Sequence, residues 1–287
     1  MNKVQMAVLM TCHNRRDTTL ACLSALTGQE SIDDVDLDVY LVDTCSSDGT
    51  AQAVREGFPQ VNVIIRDESV YWCGGMRVAF AEAIKNGYDY YMWLNNDTIL
   101  VCYAVRHLLD TAYEIYQREG SYGIIVGSTK DPETGRHTYG GVSQTSKLRP
   151  FKFCPVEPSG QPQRCATMNG NCVLVPASVV SIVGNLSSEF THAIGDTDYG
   201  LRAKAKGIPI WVAPKYVGVC ARNPVPLWMN PKIPLRKRLK IMKSPKGMPP
   251  REWIIFTKRH AGLLWPIHWV ALYLHTLYPK LWMRQNR

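Results

Sequence analysis

Acid is almost missing from the C-terminal stretch of this chain. Residues 222–287 hold one acidic residue, Glu252, against 14 Lys and Arg. Residues 1–221 hold 23 acidic and 19 basic residues, so the formal net charge of +9 comes wholly from that stretch. A basic segment on a mildly acidic body calls for an anionic partner such as phospholipid, a phosphorylated substrate or nucleic acid. Other absences narrow the class. The nine cysteines form no CxxC pair and no His clusters with them, which disfavours a zinc or dithiol centre. No GxGxxG follows the first apolar run, which argues against a dinucleotide-dependent dehydrogenase. No fixed-period repeat and no long low-complexity stretch occurs. The opening "MNKVQMAVLMTCHNRRD" has too short an apolar run for a secretory signal, so a cytoplasmic chain with reduced thiols is expected.

What is present is a chain of 287 residues, 46% hydrophobic, enough for one large domain or a domain with an appendage. "VQMAVLMTC" (4–12), "LDVYLVD" (37–43), "VNVIIR" (61–66) and "YDYYMWL" (88–94) are short apolar runs that predict buried strands. Helical spacing lies between them: "TTLACLSAL", with Asp17 as its cap, "AQAVREGF", and "CGGMRVAFAEAIKNG" as a glycine turn leading into a helix. Alternating strands and helices predict an α/β domain with a mostly parallel sheet. Further strands are expected at 122–130, 166–176 and 208–214, helices near 176–184 and 196–207, and loops or a hairpin over 131–164.

In open α/β sheets, ligands bind beyond the carboxyl ends of the strands. Three of the early runs end in polar residues: Thr11, His13, Asn14 and Arg15; then Asp43, Ser46, Ser47 and Asp48; then Asn95, Asn96 and Asp97. Each set also has an ordinary explanation. "SSDGT" suits a helix start, because Ser and Asp satisfy free N–H groups. "NND" suits an Asx turn. Gly74 and Gly75 permit close backbone approach before a helix whose start favours anions, with Arg77 in reach of a diphosphate.

Four motifs together resemble the inverting glycosyltransferases of family two, which have the GT-A (nucleotide-diphospho-sugar transferase) fold. "TCHNR" is similar to the family's first-strand nucleotide motif. "LVDTCSSDGT" is similar to its DDGSxDGT pattern, "LNNDT" falls where its DxD-type metal motif stands, and "GDTDYGLRAKAKG" falls where it has an acidic pair followed by LxxR and a glycine. The likeness spans residues 6 to about 220. "YWCGGMRVAF" looks like the Gly-rich segment of rhamnosyltransferase-like members. The resemblance implies a GT-A domain over residues 1–221 with a mixed, mostly parallel sheet. It also implies a nucleotide-sugar donor, a saccharide or polyprenyl-linked saccharide acceptor, and a role in surface polysaccharide synthesis. Asp196 would be the catalytic base, Asp198 its support, and Asp97 the ligand of a divalent cation, Mg2+ or Mn2+. Thr11, Asn14, Arg15, Asp43, Ser46, Gly74, Gly75, Arg77, Asn95 and Asn96 would line the donor site. Three departures stand out: Asn95 replaces an acid, Gly195 replaces a Glu, and Cys220 stands in the stretch where many members carry a His near the metal. A sugar-nucleotide nucleotidyltransferase, the alternative enzyme, would want a Gly-rich basic loop straight after the first strand, and "TCHNRRD" has no glycine. The non-enzymatic alternative is a lipid- or nucleic-acid-binding protein using the basic segment.

Residues 222–287 form a separate basic, aromatic-rich helical region in this reading. From Ala261 to Pro279 there are 19 residues without Lys, Arg, Asp or Glu, just at spanning length. Pro266, His268 and His275 interrupt that run, while Trp265, Trp269, Tyr273, Tyr278 and Trp282 suit an interface, and Lys258, Arg259, Lys280 and Arg284 flank it. The expectation is helices lying on the inner face of a membrane, with Arg236, Lys237, Arg238, Lys240 and Lys243 on anionic lipid. A packed helical appendage is the plain alternative, and nucleic acid is not the expected partner.

Overall fold

The computed structural model describes residues 3–146 and 148–278. The expectations for Pro279, Lys280, Trp282 and Arg284 lie outside the described residues. The described chain divides into two compact units. The first comprises residues up to Ser188 together with Gly195–Arg222; the second comprises Glu189–Ile194 with the residues from Asn223 on.

In the first unit, β1 (Val4–Cys12) is buried over its last seven residues. That is why "MAVLMTC" carries almost no polar side chain: a parallel strand covered on both faces cannot alternate. Then follow α1 (Arg16–Thr27), β2 (Val35–Asp43), α2 (Thr50–Gly57), β3 (Asn62–Ile65), α3 (Tyr71–Ile84) and β4 (Tyr90–Leu94). β1 pairs in parallel with β2 on one side and β4 on the other, and β3 pairs in parallel with β2. The second half adds β5 (Ile99–Leu100), α4 (Ala104–Glu119), β6 (Ile124–Lys130), β7 (His137–Tyr139), β8 (Gly141–Gln144), β9 (Phe153–Pro155), β10 (Gln163–Cys165), β11 (Thr167–Met168), β12 (Cys172–Pro176), α5 (Ala177–Val183), α6 (Gly195–Ala205) and β13 (Ile210–Val219). β12 runs antiparallel to both β4 and β6, and β6 runs parallel to β13. The main path across the sheet is β10-β13-β6-β12-β4-β1-β2-β3, a mixed and mostly parallel central sheet in an α/β fold. A small second sheet holds β11, β8 and β9. One core face gathers Met6, Val8 and Met10 of β1 with Leu23 and Leu26 of α1 and Leu108 and Ile115 of α4.

Local details correct the sequence reading. Asp17 does not cap α1: the helix is entered at Arg15, and Asp48 of the neighbouring loop accepts from the Arg16 N–H at 3.0 Å. Gly74 and Gly75 are not a turn; they lie inside α3, which starts at Tyr71. The expected strand over 166–176 is split into β11 and β12 by Asn169, Gly170 and Asn171.

The second unit holds α7 (Leu235–Met242), α8 (Pro250–His260) and α9 (Trp265–Leu277). Pro250 and Pro266 fall in the first turns of α8 and α9, where a missing N–H costs nothing. The segment Glu189–Ile194 joins this unit through Thr191, whose hydroxyl donates to the buried Glu252 carboxylate at 2.7 Å, and through Phe190, edge-on to Phe256.

Gly75 shows how tightly α3 lies on the sheet. A β-carbon there would collide with the Thr11 hydroxyl and stand 2.9 Å from Thr11 Cβ. Thr11 is β-branched, buried and fixed by its bond to the Val42 carbonyl, so it yields little. Gly75→Ala gains roughly 1 kcal/mol of helix propensity but incurs about 1–3 kcal/mol of overpacking. It is expected to be less stable than the native chain in urea unfolding, and Thr11→Ala added to it is expected to restore stability.

Candidate functional site

The parallel pairing puts the ends of β4, β1 and β2 side by side, and their loops are stapled together. Asn14 holds the β1 loop to the β2 loop: its N–H donates to Ser46 Oγ at 2.9 Å, and its side-chain oxygen accepts from the Ser47 N–H at 2.7 Å. His13 Nδ1 lies 2.8 Å from the Thr44 carbonyl, which fixes that nitrogen as the protonated one. Arg15 reaches the third loop and forms an ion pair with Asp97.

Asp43 ends β2 and is 1% exposed. One carboxylate oxygen accepts from the Ser46 N–H at 2.8 Å, while the other, Oδ2, is buried without a hydrogen-bond partner among the described residues. A buried acceptor left unmatched is costly, so Oδ2 is positioned for a donor from outside the chain, such as a ring N–H or a sugar hydroxyl.

The triplet Asn95-Asn96-Asp97 is a turn closed by the Thr98 N–H on the Asn95 carbonyl at 3.0 Å. Its side chains diverge. Asn96 is buried and donates to Thr19 Oγ1 at 2.8 Å, tying the turn to α1. Asn95 Oδ1 accepts from the indole N–H of Trp72 at 2.8 Å. Asp97 faces Arg15 and, at 3.6 Å, the Cys220 thiol.

Trp72 connects this turn to the fourth motif. A β-carbon at Gly170 would stand 2.8 Å from the Trp72 ring and 3.4 Å from Asp196 Cβ, so only glycine lets ring and carboxylate flank that loop closely. Asp196, in the first turn of α6, accepts from the Gly170 N–H at 2.9 Å and the Thr197 N–H at 2.7 Å. Burial pushes the Asp196 carboxyl above the usual carboxylate range, against the pull of those N–H groups. Asp198 is fully buried and paired with Arg202 Nε at 2.8 Å. Arg202 also donates to the carbonyls of Val183 and Asn185, so this pair anchors α6 to the chain after α5.

The edge therefore brings together Asn14, Arg15, Asp43, Ser46, Asn95, Asp97 and, through Trp72, Asp196. Thr11 and Asn96 spend their side chains on Val42 and Thr19. Gly74 and Gly75 pack inside α3, and Arg77 donates to the Ser187 carbonyl at 3.0 Å. Trp72, the second residue of "YWCGGMRVAF", joins this set through Asn95 and was not among the residues singled out from the sequence. Backbone strain clusters here as well. Of the five described non-glycine residues with positive φ, Asn14, Cys45, Tyr71 and Ile194 lie within two residues of Arg15, Asp43, Trp72 and Asp196 respectively. Each costs of order 1–3 kcal/mol, a pattern typical of functional loops.

A divalent cation fits these side chains poorly. Hard cations take several oxygen ligands. Here Asp97 is the one carboxylate at the turn and it carries a guanidinium, Asn95 Oδ1 is engaged by Trp72, and the Cys220 thiol is pushed up to about 12 by burial and by Asp97, so it is neutral. No group of three His, Cys, Asp or Glu suited to a metal occurs among the described residues.

An α/β sheet with a polar strand-end edge and a buried unmatched acceptor is the frame of a ligand-binding α/β protein. The family comparison makes it specific. The model of "Glycosyl transferase family 2" matches residues 7–164, more than half of the chain. The chain belongs to glycosyl transferase family 2. Among solved structures, it is similar to residues 1–349 of S. aureus TarS in complex with UDP-GlcNAc, with a TM-score of 0.55, 13% identity, and coverage of 88% of this chain and 67% of that one. The same TarS fragment in complex with UDP superposes with a TM-score of 0.53 at 13% identity, covering 89% and 70%. Against the longer TarS crystal structure, the TM-score is 0.53 at 14% identity and this chain spans 42% of that one. These likenesses identify the GT-A fold. No curated protein sequence matches the chain.

Titration of the protein alone with Mn2+ is expected to give no saturable heat. Asn95→Asp combined with Cys220→His restores two ligands beside Asp97 and is expected to create saturable binding. Tight binding by the native chain that survives Asp97→Ala would contradict this account of the turn.

Proposed function

We propose that this chain transfers a sugar, with inversion, from a nucleotide-diphosphate donor to a hydroxyl of a saccharide acceptor. The observation that carries the reading is Asp196: a carboxylate of raised pKa, fixed by two backbone N–H groups, joined through Gly170 and Trp72 to the edge that holds Arg15, Asp97 and Asp43. A carboxylate of raised proton affinity is a stronger proton acceptor whenever it is ionised.

Asp43 Oδ2 accepts from the base or ribose of the donor. Arg15, beside Asp97, is the cation of the edge and meets the negative charge of the diphosphate. Asp196 removes the proton of the acceptor hydroxyl as its oxygen attacks the anomeric carbon. The bond from that carbon to the diphosphate oxygen breaks, its electron pair leaves with the nucleoside diphosphate, and the configuration at the carbon inverts. No covalent enzyme intermediate is needed, and holding both substrates in line supplies much of the acceleration. Asp198 supports the base indirectly, since its pair with Arg202 fixes the first turn of α6.

TarS structures that hold UDP-GlcNAc and UDP support a nucleotide-sugar donor here. The chemistry is assigned to residues 1–221. Surface polysaccharide is the proposed product, and rhamnose, suggested by "YWCGGMRVAF", heads the candidate sugars. A thermal-shift scan of UDP-, dTDP- and GDP-sugars is expected to show stabilisation by one nucleotide class. Stabilisation by polyanions alone would remove the transferase reading.

The base assignment has its own test. Asp196→Asn keeps the hydrogen-bonding shape and is expected to lower kcat by roughly 10²–10⁴-fold with an unchanged melting curve. In the native enzyme, Asp196 must be ionised, so kcat/KM rises with pH through a pKa above the ordinary carboxylate value. That acid limb is expected to vanish from the residual activity of the variant. Full activity in Asp196→Asn would place the base elsewhere.

A further inference from the structure

The second unit exposes apolar surface in a regular line. Along α9 and the turn before it, Leu263 is 98% exposed, Ile267 64% and Leu274 50%, with Val270 and Tyr278 also open. The steps between 263, 267, 270, 274 and 278 are four, three, four and four residues, which is one face of a helix. The opposite face is already used. Leu272 and Thr276 are buried, Thr276 Oγ1 meets Met242 Sδ of α7 at 3.3 Å, and Trp253 of α8 donates to the Trp269 carbonyl at 3.3 Å. The stripe is therefore left over after α9 has packed. A contiguous exposed stripe of large apolar side chains marks an interaction surface.

Charge indicates what covers it. Among the described residues the unit carries ten Lys and Arg, Lys232 to Arg259, against two acids. Glu252 is buried on Thr191, and Glu189 is 3.9 Å from Arg251. Nine of the ten cations are exposed. The tenth, Arg238, is buried with Nε and Nη1 lacking a hydrogen-bond partner among the described residues. Lys258 lies over the Trp265 ring at 4.8 Å, placing a cation at the start of the stripe. A second copy of this unit would bring like charge against like charge. A nucleic acid would match the charge but offer nothing to the leucines. An anionic bilayer surface matches both, with headgroups for the cations and acyl chains for the stripe.

The same helix is too short to do more. α9 has 13 residues, about 20 Å of helix, against roughly 30 Å of hydrocarbon. No described helix is long and apolar enough to cross a membrane.

We infer that α9 lies in the plane of an anionic phospholipid membrane, with Leu263, Ile267, Val270 and Leu274 seated among the acyl chains and the lysines and arginines of the unit on the headgroups. The inference uses the second unit alone and is independent of the proposed sugar transfer. The test is flotation of the full chain with vesicles of phosphatidylcholine, or of phosphatidylcholine mixed with phosphatidylglycerol. Binding is expected to the anionic vesicles, to fall as salt is raised, and to be at least about tenfold weaker in Ile267→Glu/Leu274→Glu. Both positions are exposed, so the double variant is expected to keep the native circular dichroism and melting temperature. Equal vesicle binding by native and variant chains would overturn the inference. So would a dimer in solution that the variant dissociates, with no vesicle binding by either form, because the stripe would then be a self-interface.

Discussion

The site depends on the parallel pairing of β1 with both β2 and β4. Parallel neighbours end on the same edge, so three chains leave the apolar interior together and must turn in one small region. Strand pairing sets Cys12 opposite Asp43, and the loops that follow meet at side-chain range. The cross-links follow from that register: Asn14 to Ser46 and Ser47, Asp48 to the start of α1, Arg15 to Asp97. Had β4 run the other way, the Asp97 turn would leave at the opposite edge. Arg15 would then lose Asp97 as its partner.

What the sequence made legible, and what it hid, follows from the range of the forces involved. A strand buried on both faces writes itself as an unbroken apolar run, so β1 and β2 can be read to within two residues of their ends. The polar residues at strand ends are local as well, and their alignment on one edge follows from parallel topology. Side-chain direction inside a turn is not local. Asn95 and Asn96 are chemically alike and adjacent, yet one receives Trp72 and the other is spent on Thr19. Only the packing of α1 and α3 decides which is which. Trp72 was invisible for the same reason, since its role comes from meeting Gly170, almost a hundred residues away. The paired glycines misled because glycine usually marks a turn; here the absence of a β-carbon lets a helix lie close on a strand.

The second unit illustrates a different limit. Its lack of acid and its uncharged aromatic run are plain in the sequence, but length alone left a spanning helix and a surface helix unresolved. Pro266 stands in the first turn of α9, and the helical part of the apolar run is the 13 residues Trp265–Leu277. The exposed line of Leu263, Ile267 and Leu274 then emerges only after packing has claimed Leu272 and Thr276. A helical projection shows which side chains share a face; tertiary contacts alone show which face is already covered.

Asp196 and Asp198 carry the same logic into chemistry. They stand two residues apart on one helix, in the turn where the helix dipole favours negative charge. Position along the chain cannot separate their roles. Asp198 is fully buried, yet Arg202 supplies a counter-charge in a structural pair. Among the described residues Asp196 has no cation in its hydrogen-bond partners, only amide groups and a hydroxyl, so burial dominates and its proton affinity rises. Two like carboxylates thus have unlike surroundings, which is the difference the proposed base and its supporting acid require. The glycine at position 195 fits this division. A Glu there would put a third carboxylate beside Asp196, and its side chain would collide with the Cys73 sulfur against which Gly195 packs.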